Sequence, residues 1–184
     1  MPLNGHAQKG LSHFVRKANV LIITVYTFQR KNGIIEASLS KEQSQWLDEV
    51  LQTHADAKFK IVQGHVPIWG KLKSRASSRL KLKNGRNSPF YKTMQKHEVD
   101  LYLCGEFHDL NVHKSDGLWQ IVHGNSWGRD EIPTHNYLVA NATLNKLFLT
   151  MKRIYIEPQG GYMWNLNKNP GPRERIDISP RTRN

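Results

Sequence analysis

The sequence contains a single cysteine, Cys104, in a chain of 184 residues. No disulfide can therefore form within the chain, which excludes the class of small secreted domains that are held together by disulfides. Cys104 lies in a segment with the alternation of a β-strand, where a lone cysteine is usually a small buried hydrophobic side chain. We therefore predict that Cys104 packs in the core and does not act as a nucleophile.

Long hydrophobic runs are absent as well. The longest apolar stretch, residues 18–28, is too short to cross a bilayer. The first ten residues lack the apolar core of a signal peptide. By default, these absences favour an intracellular, cytoplasmic protein without a transmembrane segment.

Acidic residues are few: the chain has 15 Asp and Glu and 27 Lys and Arg, which gives a net charge of +12. Such an excess suggests an anionic partner, such as a phosphorylated substrate, nucleic acid or a membrane surface. A solvated basic surface remains an equal alternative. Hydrophobic residues make up 38% of the chain and charged residues 23%, which is typical of a globular protein rather than a disordered one.

The composition divides the chain into three parts. Residues 1–17 are polar and basic, and we predict no strong structure there. Residues 18–157 carry the periodic hydrophobic patterns of one folded domain with a sizeable core. Residues 158–184 are dominated by Pro, Gly, Asn and Arg, and we predict a basic tail without regular structure.

Strands and helices alternate in the middle part. Hydrophobic patterns predict strands at Val20–Phe28, Phe59–Val62, Val99–Cys104 and Leu118–His123, and a terminal hairpin over Tyr137–Ala140 and Leu144–Ile156. Turn signals lie at Asn32-Gly33, at His113–Gly117 and at Asn141–Thr143.

Two helices are predicted from their start signals. Ser40–Gln43 has the pattern of a capping box, in which Ser40 accepts from the amide of Gln43 and Gln43 reaches back. An apolar face then follows at helical spacing, formed by Trp46, Leu47, Val50 and Leu51. Pro89 suits the first turn of a second helix, roughly Pro89–His97.

Polar side chains follow two of the predicted strands. Gly105 ends the strand Val99–Cys104, and Glu106 and His108 come directly after it. In extended backbone, residues i and i+2 point the same way, so we expect this carboxylate and imidazole to be presented together. His65 follows the end of the strand Phe59–Val62 in the same manner. Open α/β sheets bind ligands at the carboxyl ends of their strands, and both side-chain types are metal ligands.

A basic segment, Lys71–Arg86, contains seven Lys or Arg and no acidic residue. Its Ser and Gly content predicts a charged, mobile loop. Because it begins four residues after Pro67, we expect it to lie near the candidate metal ligands. Its first cations, Lys71, Lys73 and Arg75, are therefore candidate residues for binding an anionic substrate.

Five segments, in order, resemble the second half of a calcineurin-like metallophosphoesterase. A buried strand is followed by the helix L-S-K-E-Q-S-Q-W-L-D-E-V-L, by G-H-V-P, by C-G-E-F-H where the family usually has Gly-His-x-His, and by I-V-H-G-N-S-W-G. The resemblance extends over residues 20–156. It implies an α/β/β/α sandwich with mixed sheets, and a hydrolase that acts on phosphate monoesters or diesters with two divalent metal ions.

The resemblance assigns metal-binding roles to three residues. His65 would bind the second metal, and His108 would bind the first. Glu106 stands where the family has a histidine, which is a departure from the pattern. Glutamate still binds Zn, Mn or Fe, and its negative charge would favour a harder ion such as Mn. The same substitution equally fits a site that has lost its second metal.

The family's first-half motifs, Asp-x-His, Gly-Asp-x-x-Asp and Gly-Asn-His-Asp/Glu, have no counterpart in this sequence. His65, Glu106 and His108 alone cannot complete a site for two metals. We therefore expect a fold that is incomplete at its N-terminal end and supplies mainly one of the two sheets. Its open sheet edge would be prone to association with another chain.

Two alternatives to an enzyme remain open. One is a basic protein that binds nucleic acid or another polyanion through residues 71–86 and the C-terminal arginines; the sequence contains no recognised nucleic-acid-binding motif. The other is a pseudoenzyme that has kept the fold for interactions.

Overall fold

A six-stranded mixed sheet forms the centre of the protein. The computed structural model describes residues 11–70, 80–106, 110–123, 134–155 and 172–179. Its elements, in chain order, are β1 (His13–Lys17), β2 (Val20–Thr24), β3 (Gln29–Lys31), β4 (Ile34–Glu36), α1 (Lys41–Thr53), β5 (Phe59–Gln63), a 3-10 turn (Gly85–Asn87), α2 (Pro89–Lys96), β6 (Leu101–Cys104), β7 (Leu110–Ser115), β8 (Leu118–His123), β9 (Thr134–Ala142), β10 (Leu147–Tyr155) and β11 (Pro172–Ile178).

The strand order in the large sheet is β1-β2-β5-β6-β8-β7. The four central strands β2, β5, β6 and β8 are parallel, and the edge strands β1 and β7 pair antiparallel to their neighbours. A second, antiparallel sheet of three strands has the order β11-β10-β9. The short hairpin β3–β4 turns at Asn32-Gly33, where both residues have positive φ, as the sequence predicted.

Side-chain alternation divides the core into two layers. On one face of the large sheet, residues such as Leu21, Val62 and Tyr102 pack against both helices. On the other face, Phe59, Ile61, Leu101 and Ile121 pack against Leu147, Leu149 and Ile178 of the second sheet. β5, β6 and β8 are buried on both faces because helices cover one side and a sheet covers the other, whereas Ile22 of β2 is exposed.

The predicted α/β fold class is confirmed. Four of the predicted strands and both helices are present, with ends that differ by a few residues. All four residues of the predicted apolar face of α1 are buried. Ser40 caps α1 by accepting from the amide of Gln43, whereas the Gln43 side chain donates to the Ser12 hydroxyl.

Three local predictions were wrong. β1 lies within the segment predicted to lack structure, where its amphipathic side chains gain partners only from the fold: Phe14 packs on Trp46, and Arg16 binds Asp56. β7 includes His113–Ser115, which we had assigned to a turn, because it pairs along the whole of β8. β11 lies in the predicted tail and is held by pairing with β10. We also expected the chain to supply mainly one of two sheets; it contains the six-stranded sheet and a smaller second sheet of three strands.

The domain boundaries at residues 17 and 157 remain predictions. The terminal hairpin is confirmed as β9–β10, with its turn at Thr143–Lys146, slightly later than predicted. Among the described residues, no helix is long and apolar enough to cross a membrane.

We predict that Ser40→Ala lowers the free energy of unfolding by about 1 kcal/mol, because the hydroxyl that caps α1 is lost. The matched control is Ser44→Ala, which removes a hydroxyl bonded back to the carbonyl of Ser40 within the same helix. Alanine favours helix there, so the control should change stability little. Urea unfolding, monitored by circular dichroism, measures the free energy of unfolding of both variants. Equal losses of free energy in the two variants would contradict the capping role.

The ion pair that anchors β1 predicts a pH dependence. The Arg16 guanidinium lowers the pKa of Asp56 from 3.8 to about 2. A lowered folded-state pKa means that the pair stabilises the protein fully above about pH 5 and loses this effect as pH falls towards 2. The stability difference between wild type and Asp56→Asn should therefore shrink between pH 6 and pH 3 in urea unfolding. In an Arg16→Gln background the difference should be absent throughout; a pH-independent difference in the wild-type background would refute the linkage.

Candidate metal centre

The loops after β5 and β6 stay paired beyond the ends of the strands. The Gly64 amide donates to the Leu103 carbonyl at 3.0 Å, and the Gly105 amide donates to the His65 carbonyl at 2.9 Å. These bonds continue the parallel ladder by one step, so the residues that follow each strand lie side by side. This is the carboxyl edge of the parallel strands, where α/β sheets bind ligands.

His65 and Glu106 meet at this edge. Nε2 of His65 lies 3.2 Å from Oε2 of Glu106. The His65 side chain is 55% exposed, whereas that of Glu106 is only 3% exposed. The other carboxylate oxygen, Oε1, accepts a hydrogen bond from the amide of Leu80 at 3.2 Å. The structure therefore brings together two of the residues that the sequence singled out, with the imidazole on the solvent side.

Glu106 does not have the extended backbone that we assumed in predicting its direction. Its φ is +70°, in the left-handed region that costs a non-glycine residue roughly 1–2 kcal/mol. The chain turns at this residue, and the carboxylate is buried against His65 and Leu80. The assumption of extended backbone at Glu106 was therefore wrong, whereas the relative direction of the Glu106 and His108 side chains stays a prediction. Backbone strain of this kind concentrates at functional sites.

His108 lies outside the described residues, as do Lys71, Lys73 and Arg75. Their assignments as metal ligand and as substrate-binding cations remain predictions. Leu80, the first described residue within the basic segment, donates its amide to Glu106. The described part of this segment, residues 80–86, therefore begins beside the candidate centre.

Three side chains that support the centre were not identified from the sequence. The Thr27 hydroxyl accepts from the amide of His65 at 3.1 Å, and the Phe28 ring lies 5.5 Å from the His65 ring between centroids. The Tyr102 hydroxyl donates to the Val66 carbonyl at 2.7 Å. We had assigned Thr27 and Phe28 to the first strand, but β2 ends at Thr24. One sequence feature could have indicated that Thr27 and Phe28 lie beyond the strand: they directly precede the polar segment Gln29–Gly33.

Cys104 is buried in the core, as predicted. Burial raises the pKa of its thiol, so the side chain stays protonated at neutral pH. Thiolate is the nucleophilic form of cysteine, and Cys104 is therefore excluded as a nucleophile in this fold.

The pair formed by His65 and Glu106 has the donor set of a divalent metal site. Ligands that each lie about 2.0–2.2 Å from one ion are about 2.8–3.6 Å apart in octahedral or tetrahedral geometry. The observed 3.2 Å separation fits this range. It also fits a direct hydrogen bond in which the imidazole donates to the carboxylate. Within the described parts of the chain, no three His, Cys, Asp or Glu side chains converge on one point.

Comparison with solved structures places the fold among metallophosphoesterase-like proteins. A dimetal phosphatase from Danio rerio has a TM-score of 0.51 and 19% identity, covering 78% of this chain and 39% of its own. GAP50, the anchor in the inner membrane complex of Plasmodium, has a TM-score of 0.50 and 14% identity, covering 93% of this chain and 54% of its own. No protein-family model and no curated protein matches the sequence.

The chain spans about two fifths and about half of the lengths of these two structures. Identities this low establish the likeness of the fold alone. The α/β architecture, with a mixed sheet of six strands and few helices, is therefore that of metallophosphoesterase-like proteins.

We predict that Gly64→Ala disrupts the backbone beneath His65. An added Cβ would lie 2.7 Å from Thr27 Cγ2 and 2.8 Å from the Tyr102 hydroxyl oxygen, both in buried side chains. Overpacking of this kind costs about 1–3 kcal/mol in the free energy of unfolding. The control is Gly105→Ala, whose Cβ would meet the His65 ring at an ordinary 3.5 Å. In thermal unfolding, the Tm of Gly64→Ala should lie well below that of Gly105→Ala. The reverse order of the two Tm values would contradict this packing.

Proposed function

We propose that the protein is a metal-dependent phosphoesterase that hydrolyses phosphate ester bonds at the carboxyl edge of its large sheet. The convergence of His65 and Glu106 carries the proposal. Two metal-ligand side chains come from adjacent parallel strands, and one of them is a buried carboxylate at strained backbone. The likeness to a dimetal phosphatase supports the same chemistry.

The residues of the chain have separate tasks in this proposal. Glu106 contributes a carboxylate oxygen, and its second oxygen is fixed by the Leu80 amide, so the ligand is held in one orientation. His65 contributes Nε2 from the solvent side, and Thr27 fixes its backbone. His108 is the further ligand in the proposal.

When bound, divalent metal ions would hold phosphate oxygens and lower the pKa of a water that attacks phosphorus. Imidazole must be deprotonated at Nε2 to bind a metal, so activity should fall in acid. The carboxylate of Glu106 adds charge to the ligand set and suits Mn in preference to softer ions.

We predict that His65→Ala and Glu106→Gln each reduce bound Mn and lower turnover at least about 10-fold, since each removes a ligand. Elemental analysis measures the metal, and hydrolysis of an aryl phosphate and an aryl phosphodiester measures turnover. The matched controls are His113→Ala and Glu49→Gln, exposed residues on β7 and α1 that should change neither quantity.

Wild-type protein that binds neither Mn nor Zn and hydrolyses neither ester would contradict the proposal. The polyanion-binding alternative, which the net charge of +12 favours, would then be tested by DNA binding as a function of salt. Phosphate contacts predict a steep fall of affinity with salt.

A further inference from the structure

A polar cleft of about 240 Å³ is lined in part by residues that follow, in the sequence, residues in contact with the candidate metal centre. Its walls come from the β3–β4 hairpin, from the start of α1 and from the chain that leads into α2. The charged groups in its wall are those of Lys31, Glu36 and Lys83. Pockets for drug-sized ligands measure about 300–1,000 Å³, so this cleft fits one group of a ligand rather than a large molecule.

Two segments of chain connect the cleft to the centre. Phe28 packs on the His65 ring, and the next residue, Gln29, lines the cleft. Leu80 donates its amide to Glu106, and Leu82, two residues later, lines the cleft as well. The Cα atoms of Phe28 and Gln29 are about 3.8 Å apart and those of Leu80 and Leu82 at most about 7 Å apart, so wall residues of the cleft adjoin residues that contact the centre.

The cleft carries an excess of positive charge. Lys83 forms an ion pair with one oxygen of Glu36, and Lys31 lies 3.7 Å from the other. Hydrogen bonds from Lys83 and Ser38 lower the pKa of Glu36, so its carboxylate remains ionised at neutral pH. Two ammonium groups against one carboxylate leave a net charge of +1 in the wall.

Both ammonium groups remain accessible. The Lys31 and Lys83 side chains are 61% and 54% exposed, so solvent reaches N–H donors that Glu36 does not use. The Ser88 hydroxyl, which accepts from the amide of Tyr91, also lines the cleft. Leu82 and Phe90 form an apolar part of the cleft wall beside these groups. Charge-assisted donors grouped in this way suit a phosphate or carboxylate.

We propose that the cleft binds a second anionic group of the substrate, so that the substrate is a small phosphate ester with a further phosphate or carboxylate. This inference rests on the proposed function, because it assigns the scissile phosphate to the centre at His65 and Glu106. The carboxylate of Glu36 pairs with both lysines and competes with the incoming anion for them.

The first test is binding of inorganic phosphate to metal-free protein by isothermal titration calorimetry. Lys31→Gln and Lys83→Gln should each weaken binding about 3-fold, and Glu36→Gln should strengthen it by a similar factor, since it removes a competing charge. Lys92→Gln is the matched control: it removes the same charge from an exposed position on α2 outside the cleft. Equal affinities in Lys31→Gln, Lys83→Gln and Lys92→Gln, or weaker binding in Glu36→Gln, would overturn the proposal.

The second test compares substrates in the presence of Mn. The KM for an alkanediol bisphosphate should lie several-fold below that for an aryl phosphate. The ratio of the two KM values should approach one in Lys83→Gln and stay at the wild-type value in Lys92→Gln. Turnover without this preference would overturn the second subsite and leave the proposed function standing. Phosphate binding that depends on Lys31 and Lys83 without turnover of any ester would refute the phosphoesterase proposal and the substrate role of the cleft, leaving only an anion site.

Discussion

The continued pairing of the β5 and β6 backbones beyond the ends of the strands is the constraint on which the candidate centre depends. Two amide-to-carbonyl bonds, from Gly64 and from Gly105, place the next residues of both loops side by side. His65 and Glu106 are 41 positions apart in the sequence, yet their side chains meet at 3.2 Å. Removing that backbone register would separate the two side chains whatever their own preferences.

A buried layer beneath the two loops keeps this register. Tyr102 spans the core to reach the Val66 carbonyl, and its burial raises the pKa of its phenol, so it remains a hydrogen-bond donor. Thr27 holds the His65 amide, and there is no room for a side chain at Gly64. The strained backbone of Glu106 is held in the same way, by contacts of its carboxylate with Leu80 and His65. The exposed imidazole is thus supported from behind by side chains that solvent does not reach.

Sequence patterns were most informative where local physics dominates. The β-branched runs, the Ser40 cap, the apolar face of α1 and the Asn32-Gly33 turn all depend on neighbours within a few residues, and the structure contains them. The sequence did not predict β1, β7 and β11, because an edge strand is stabilised by a partner that the sequence pattern does not identify. Arg16 and Phe14 look like parts of a polar segment until Asp56 and Trp46 are placed beside them.

The sequence by itself determined which residue types stand at the ends of the buried strands, and hence the chemistry available there: an imidazole at His65 and a carboxylate at Glu106. Only the tertiary structure decided that these two meet, that the carboxylate is buried at positive φ, and that Thr27 and Leu80 hold them. The cleft at Lys31, Glu36 and Lys83 likewise exists only in three dimensions. Alternation and capping act over a few residues, whereas a site requires the relative positions of distant segments, which are set by strand order and register.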